Sequence, residues 1–162
     1  CTHANHSNSG VRYGVTLGLT GHNNTKAINT LIQLTEDPDD DVRDWATFGL
    51  GSQLADKDGN PLDSKGIREA LCKRVQDTHD NVRMEAFTGL AFRKDKRIVQ
   101  PLYNELIKTL VSGSLPGTSL LEAVTVLKDS TFSPLLQYLE ETGDYAGELQ
   151  EEALQAAMEA SK

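Results

Sequence analysis

The residues best suited to bind a metal ion stand at the start of the chain, in the pattern Cys1-x-His3-x-x-His6. Thiolate and imidazole groups at such short spacing are ligands that transition metals prefer. However, a short terminal segment offers no surrounding hydrogen-bond partners that would fix the orientation of these ligands. We therefore predict no metal site here and expect residues 1–8 to be a flexible N-terminus.

A second set of ligands, Asp56-x-Asp58-Gly59-Asn60, is similar to the start of a calcium-binding loop. The glycine stands two positions too early for an EF-hand, and the twelfth position is not a glutamate. Gly, Asn, Asp and Pro in one stretch are typical of a solvated turn. We predict an insertion loop without a bound ion.

The charge balance restricts the class of partner. The 162 residues include 24 acidic and 16 basic ones, which gives a formal net charge of -8. Nucleic-acid binding normally needs a basic surface, because the ligand is a polyanion. The densest basic cluster, residues 93–97, is interrupted by Asp95. The composition argues against nucleic-acid partners and favours a protein partner with a basic surface.

Cysteine content and hydropathy bear on the compartment. The two cysteines, Cys1 and Cys72, do not suggest a disulfide framework, which favours a reducing environment. No apolar run in the sequence approaches the length of a membrane span, and no signal peptide is visible. We predict a cytoplasmic protein that does not bind membranes.

One stretch of the sequence occurs repeatedly. Residues 41–50 and 81–90 carry Val, Arg, Ala, Gly and Leu at the same relative positions, and a related copy begins at Val11. The copies start 31 and then 40 residues apart, and the insertion loop accounts for the longer interval. A helical unit repeated at such spacing is typical of stacked repeat architectures.

Helical periodicity divides the chain into about four and a half hairpins. Apolar residues recur at three- and four-residue spacing, with turn-forming residues between the segments. We predict an all-α, right-handed α-solenoid that forms a single domain over residues 1–162. Its units are a half repeat at 9–20 and helical hairpins at 25–54, 64–93, 95–128 and 131–160.

Some residues predict where helices begin. Thr25 and Ser64 each precede an apolar-periodic segment and are suitable N-caps. Pro101 fits either a helix that begins near Val99 or Gln100, because proline is tolerated in the first turn, or a helix that is kinked at this residue.

The stretch from Asp37 to Gly51 reads Asp-Pro-Asp-x-Asp-Val-Arg-x-x-Ala-x-x-x-Leu-Gly. This pattern resembles the HEAT-repeat family, in particular the short bacterial HEAT-like repeats of the phycobilin-lyase type. The resemblance covers nearly the whole chain, is strong over Val11–Leu90 and is weak beyond Leu115. It implies a structural ladder of ion pairs between adjacent repeats, in which Arg12, Arg43 and Arg83 pair with turn acids such as Asp40, Asp41 or Asp80.

A minority of HEAT-like proteins are enzymes, and these need further residues. Deoxyhypusine hydroxylases bind two irons through His-Glu pairs, but none of the four histidines here precedes a glutamate. Alkylpurine glycosylases use a basic concave face, which the net charge disfavours although Asp44 and Trp45 superficially match. A phycobilin lyase or isomerase role rests on fold analogy alone.

The second helices of the hairpins carry large apolar residues on the side that faces away from the predicted core. At helical spacing, Val42, Ala46 and Leu50 face the core. The outward residues form a strip across three repeats, namely Tyr13, Leu17, Trp45, Phe48, Met84 and Phe87. Aromatic and methionine side chains in a concavity are typical of interaction hot spots. The alternative, which we favour for Trp45, is that curvature buries these side chains between repeats.

HEAT-like proteins are mostly scaffolds, so we expect a non-catalytic protein that binds a protein partner along the concave face, with no cofactor or metal. The alternative is a lyase-like or chaperone-like protein that holds a prosthetic group or small molecule in the concavity, and a nucleic-acid-binding, glycosylase-like protein is a weaker one. A deep, closed pocket would favour an enzyme, whereas a broad groove would favour the scaffold. An exposed apolar face near Tyr13–Leu19 would also allow self-association.

Overall fold

The computed structural model describes residues 3–112 and 117–142, and the regular elements of these residues are all helices. The helices of the first part are α1 (Ser9–Leu19), α2 (Thr25–Leu34), α3 (Asp40–Gly51), α4 (Lys65–Arg74) and α5 (Asp80–Phe92). They are followed by α6 (Val99–Val111), α7 (Thr118–Leu127) and α8 (Ser133–Thr142), with short 3-10 turns at Lys96–Ile98 and Ser130–Phe132. The predicted all-α class is confirmed for these residues.

The chain divides into two compact units, Cys1–Arg93 and Lys94–Lys162. The first unit holds α1 to α5, and the described part of the second holds α6 to α8. The helix predicted at the C-terminal end of the chain, within 143–162, lies outside the described residues, as does Cys1. Within 3–112 and 117–142, no helix has both the length and the apolar character needed to cross a bilayer.

The helices of the first unit pack in two rows. α3 lies between α1 and α5 and contacts both, while α2 and α4 contact each other. Each of α2 and α4 also packs against the helix that follows it, which makes α2–α3 and α4–α5 helical hairpins. The repeated apolar positions of these hairpins are all fully buried: Val42, Ala46, Leu50, Val82, Ala86 and Leu90. The repeated motif therefore supplies the core of this unit.

Two glycines allow α3 and α5 to approach closely. A Cβ atom placed on Gly89 would lie 2.5 Å from the Cα atom of Gly51, a distance that real Cβ atoms do not tolerate. Gly18 occupies the equivalent position of the first repeat, and a Cβ there would meet no atom within 4 Å. The Gly89 position is thus constrained by the α3–α5 crossing, whereas the Gly18 position is not.

The helix starts follow capping chemistry, with one correction to the sequence prediction. The N-cap of α2 is Asn24, whose side chain accepts a hydrogen bond from the backbone N–H of Ala27 at 3.0 Å, and Thr25 is already helical. Ser64 caps α4 as predicted, accepting from Ile67 N–H at 3.2 Å. α6 begins at Val99, which places Pro101 in its first turn as expected.

The first described residues are held against the unit. Ala4 is buried, and the guanidinium of Arg12 donates hydrogen bonds to the backbone carbonyls of His6 at 2.8 Å and Ser7 at 3.2 Å. The side chains of Asn5 and Gln33 are also hydrogen-bonded. Residues 3–8 therefore differ from the flexible segment that their polar composition suggested.

In the described part of the second unit, the same local backbone arrangement occurs before α6 and before α8. A lysine with positive φ (Lys94 at 53°, Lys128 at 47°) precedes an aspartate, and the aspartate caps the following 3-10 turn. The Lys94 ammonium donates to the carbonyl of Val126, near the end of α7. The cation thus lies where the partial negative charge of the α7 C-terminus is concentrated.

Candidate functional site

Three aromatic side chains from α1 and α3 form a contiguous cluster, which we call the Trp45 cluster (Tyr13, Trp45 and Phe48). The ring centroids of Tyr13 and Trp45 lie 5.9 Å apart at an interplanar angle of 81°. Those of Trp45 and Phe48 lie 5.5 Å apart, also at 81°. These are edge-to-face contacts, the geometry that aromatic quadrupoles favour. All three side chains are half-buried, so each keeps part of its surface in contact with solvent.

The predicted apolar strip is only partly present. Leu17 on α1 is 42% exposed and Met84 on α5 is half-buried, in keeping with an outward orientation. Phe87, in contrast, is 1% exposed, and its assignment to a partner-binding surface is wrong. Phe87 occupies the repeat position of Thr16 and Thr47, not that of Phe48, and this position is buried in all three copies.

Three acidic residues lie near the Trp45 cluster on α3 and α5, and we call them the acidic rim (Asp41, Asp44 and Glu85). Asp41 stands four residues before Trp45 and Asp44 four residues before Phe48, so each is a neighbour of an aromatic ring on the surface of α3. Glu85 on α5 accepts a hydrogen bond at 3.2 Å from the hydroxyl of Ser52, which lies one turn beyond Phe48. The rim thus includes carboxylates from two adjacent helices.

Asp44 is the most perturbed member of the rim. Its side chain is half-buried, and among the described residues no donor reaches its Oδ1 atom. Burial raises the pKa of Asp44 above the ordinary value for an aspartate, and the nearby His79 offsets part of this rise. The ionised carboxylate is therefore less favourable here than in water, and an added cation would stabilise it.

The ladder that the resemblance implied is present, but its acids are not the predicted ones. Arg12 donates to both carboxylate oxygens of Asp37, each at 2.7 Å, and Arg43 donates to both oxygens of Asp77, each at 3.0 Å. Each pair joins the second helix of one repeat to the turn that precedes the second helix of the next repeat. Asp40 and Asp41 therefore do not form the ladder contacts expected of them.

Arg83 pairs with Asp80, as anticipated, but this contact at 2.6 Å lies within the first turn of α5 and not between repeats. Arg83 also donates to the backbone carbonyls of Asp77 at 3.0 Å and Thr78 at 3.3 Å. Arg43 makes the equivalent contacts with its own preceding turn. Each ladder arginine thus fixes the turn from which its own helix starts.

The ladder carboxylates are ionised in spite of their burial. Burial opposes ionisation of Asp77, but hydrogen bonds from Arg43 and from the backbone N–H of His79 outweigh it, so the pKa of Asp77 is lowered. The pKa of Asp37 is lowered in the same way by Arg12 and by Asp39 N–H. Because Arg12 and Arg43 form these structural contacts, they do not compensate the negative charge of the acidic rim.

A polar groove of about 600 Å³ runs beside the ladder and is open to solvent. Its charged lining includes Arg43, Lys73, Arg74, Glu36 and Asp77. Lys73 pairs with Glu36 at 2.5 Å, and Arg74 contacts Asp77 at 3.3 Å. The cations of this groove pair with its own carboxylates, so we assign the groove to the contact between repeats.

The potential metal ligands take part in local structure. Within the described residues, Asp39, Asp40 and Asp41 are the one group of three or more His, Cys, Asp or Glu residues whose ligand atoms all lie within 4.8 Å of one another. Asp39 caps α3 by accepting from Val42 N–H at 3.2 Å. At the N-terminus of a helix, such acids interact favourably with the helix dipole.

The calcium-like loop is organised by its own backbone. Asp56 Oδ1 accepts hydrogen bonds from the N–H groups of Asp58 and Asn60, both at 2.9 Å. These contacts, led by that from Asn60, lower the pKa of Asp56. Of the N-terminal ligands, His6 accepts the N–H of Asn8 on Nδ1 at 3.1 Å, and its ring centroid lies 6.4 Å from that of His3.

Sequence reasoning missed a buried arginine. Arg93 directly follows α5 and donates hydrogen bonds to the carbonyls of Leu50 at 2.8 Å and Gly51 at 2.9 Å, at the end of α3. It also donates to Gly89 at 2.7 Å and Leu62 at 2.9 Å. Burial lowers the pKa of Arg93 to about 10, so it remains charged at neutral pH. The basic cluster 93–97 drew attention to this region but not to these carbonyls.

A second feature that sequence reasoning missed is an apolar groove of about 480 Å³ in the second unit. It lies between α6 and α8, and two of its residues, Val111 and Tyr138, are well exposed. The lining consists of Tyr103, Ile107, Leu110, Val111, Pro134, Leu135 and Tyr138.

Comparison with known proteins finds similar chains but no matching family model. Protein YibA of Escherichia coli K12 and protein YibA of Escherichia coli O157:H7 are each 35% identical to this chain over 126 residues. The match covers 78% of this chain but spans only 41% of the length of each of these relatives. The X-ray structure of Escherichia coli YibA superposes with a TM-score of 0.75 at 29% identity, covering 96% of this chain and 51% of that chain.

Proposed function

We propose that this protein is a HEAT-like α-solenoid that acts as a non-catalytic interaction module and binds a protein partner on the face formed by α1, α3 and α5. The observation that carries the proposal is the Trp45 cluster, three half-buried aromatic rings that span two neighbouring repeats. Aromatic side chains that are rigidly packed yet partly exposed are the usual anchors of protein interfaces. Leu17, 42% exposed on the same helix as Tyr13, extends the apolar surface.

The ladder supports this proposal because it fixes the relative position of the helices that carry the cluster. Bidentate arginine–carboxylate pairs are geometrically specific as well as strong. The Arg12–Asp37 pair joins α1 to the turn before α3, and the Arg43–Asp77 pair joins α3 to the turn before α5. A rigid surface loses less conformational entropy when a partner binds.

The shape of the cavities favours the module over a lyase-like protein that encloses a small molecule. The grooves beside the ladder and between α6 and α8 are both open to solvent, and the first is lined by side chains that pair with one another. Sites for small molecules are typically concave and bury most of the ligand surface. No specific contact in the described residues favours a bilin or a nucleobase as ligand.

The experiment is affinity capture from the native host, followed by reconstitution with the purified partner. We expect Phe48→Asp and Leu17→Asp to reduce recovery of the partner about tenfold or more, because each places a charge in an apolar contact. The matched control is Asn29→Asp, which adds the same charge at an exposed site on α2, in the other row of helices. Folding of each variant is checked by circular dichroism.

Unchanged recovery of the same partner by folded Phe48→Asp and Leu17→Asp proteins would show that this face is not the interface. Equal loss with Asn29→Asp would show that added negative charge alone, and not the apolar surface, is responsible. Either result would remove the proposal.

A further inference from the structure

The face formed by α1, α3 and α5 combines aromatic rings with carboxylates, and this combination determines which partner residues it can accept. Asp41 is exposed and Asp44 half-buried, and both adjoin aromatic residues one helical turn further along α3. The only basic residues on α1 and α3, Arg12 and Arg43, point into the ladder and bind Asp37 and Asp77. Arg12 and Arg43 therefore do not neutralise the negative charge of Asp41 and Asp44.

Carboxylates beside aromatic faces suit a cationic side chain with an apolar stem. A guanidinium or ammonium group is attracted by the electron-rich face of an aromatic ring, most strongly by that of tryptophan. The methylene stem of arginine or lysine also packs on apolar surface while the charged end reaches an acid. A purely apolar partner would leave the carboxylate of Asp44 partly desolvated without compensation.

We propose that the Trp45 cluster and the acidic rim bind a protein segment through an arginine or lysine side chain that is flanked by an apolar residue. The cation lies over the aromatic rings and pairs with Asp44, and the apolar residue packs on Leu17 and Phe48. This inference rests on the proposed function, since it specifies the partner of the same face.

Asp44 is the residue that distinguishes this inference from simple apolar docking. Its Oδ1 atom receives no hydrogen bond from the described residues, and its carboxylate is held in a partly dehydrated position. Because Oδ1 itself is buried, a bound cation would reach the carboxylate through its other oxygen and offset the lost hydration. Asp44→Asn keeps the shape of the side chain and removes a charge that burial disfavours, so the variant is expected to fold.

The test is phage display of random twelve-residue peptides against the full chain. This method does not require the natural partner to be known. We expect enrichment of peptides with Arg or Lys next to a large apolar residue. The strongest peptide is then synthesised and titrated against the protein, with binding followed by the fluorescence of Trp45, the single tryptophan of the chain. Asp44→Asn should weaken binding about tenfold, the lower end of the range for a hydrogen bond to a charged group.

The matched control is Asp58→Asn, which removes the same charge from the exposed insertion loop and should change the dissociation constant less than about twofold. Enriched peptides without basic residues, no enriched peptide at all, or equal affinity of the wild type and Asp44→Asn would overturn the inference. A partner captured through Phe48 and Leu17 in any of these cases would leave the interaction module intact and remove only the cationic anchor.

Discussion

Replacement of Arg43 by methionine measures how much the ladder contributes to the stability of the first unit. Arg43 donates two hydrogen bonds to Asp77 at 3.0 Å, and its Nη1 atom donates to the carbonyls of Asp37 at 2.9 Å and Pro38 at 3.3 Å. The Arg43 and Asp77 side chains are only 12% and 5% exposed. Methionine retains much of the apolar stem, so the substitution removes chiefly the guanidinium group.

The expected loss follows from what remains around Asp77. Removing one partner of a buried ion pair costs about 3–5 kcal/mol, because the other charge is left in a poorly hydrated position. Asp77 retains Arg74 Nη1 at 3.3 Å and the backbone N–H of His79 at 3.0 Å. We therefore expect the lower end of this range, about 3 kcal/mol. With a urea dependence of about 2 kcal/mol per molar, the midpoint should fall by about 1.5 M.

The assay is urea unfolding followed by far-ultraviolet circular dichroism, with Lys73→Met as the control. Lys73 also pairs with an acid, Glu36, at 2.5 Å, but the two side chains are 60% and 55% exposed. Exposed pairs contribute about 0–1 kcal/mol, so the control should lose less than about 1 kcal/mol. Equal losses in the two variants, or a loss below about 1 kcal/mol for Arg43→Met, would refute the view that burial makes this pair important.

Two further predictions concern packing and pH. Gly89→Ala should lower the free energy of unfolding by about 2 kcal/mol, because its Cβ would lie 2.5 Å from Gly51 Cα. Gly18→Ala, at the same repeat position but in open space, should raise it by about 0.5–1 kcal/mol, and thermal unfolding of both variants distinguishes these outcomes. The lowered pKa values of Asp37 and Asp77 mean that their stabilisation is complete above the ordinary aspartate pKa and is lost as pH falls through the lowered values. Unfolding free energies measured from neutral to acidic pH should therefore fall less steeply in Asp77→Asn than in the wild type, and identical slopes would contradict this.

The core of the hairpins could be predicted because it depends on local periodicity. Val42, Ala46 and Leu50 recur at helical spacing, and the same residue types return in the copy at 81–90. A helix with one apolar stripe must bury that stripe, so the position in sequence is enough to identify the core. The copy that begins at Val11 follows the same pattern, although Val11 itself is exposed.

The ladder could be predicted only in part, because ion pairing between repeats depends on tertiary register. The repeated arginines were evident, but the sequence offers several acids in each turn. Asp37 and Asp77 stand at the same place in two successive turns, five residues before the valine of the motif. This equivalence between the two turns can indicate which acids pair with the arginines. However, Asp40 and Asp80 are equivalent in the same way, and only the packing of the helices shows which of the two sets forms the ladder.

Phe87 and Arg93 show two different limits of prediction from sequence. For Phe87, helical spacing alone assigned the position that it shares with Thr47 to the outward side, but that position is buried in all three copies. For Arg93, the partners are backbone carbonyls at the end of another helix, which carry no side-chain signature. Neither position could be assigned without knowledge of how α3 and α5 cross.

The three copies of the motif separate the positions that build the unit from those available for binding. Positions that keep one residue type are buried in the second and third copies or, in the case of Arg12 and Arg43, engaged in the ladder. The position of Trp45 is Gly in the first copy and Glu in the third, and that of Asp44 is Tyr and Met. Variation alone does not mark a position as available for binding, because the position shared by Thr16, Thr47 and Phe87 also varies and is buried in all three copies. The positions of the Trp45 cluster and the acidic rim both vary and keep part of their surface exposed, so substitutions there should alter binding with little effect on folding.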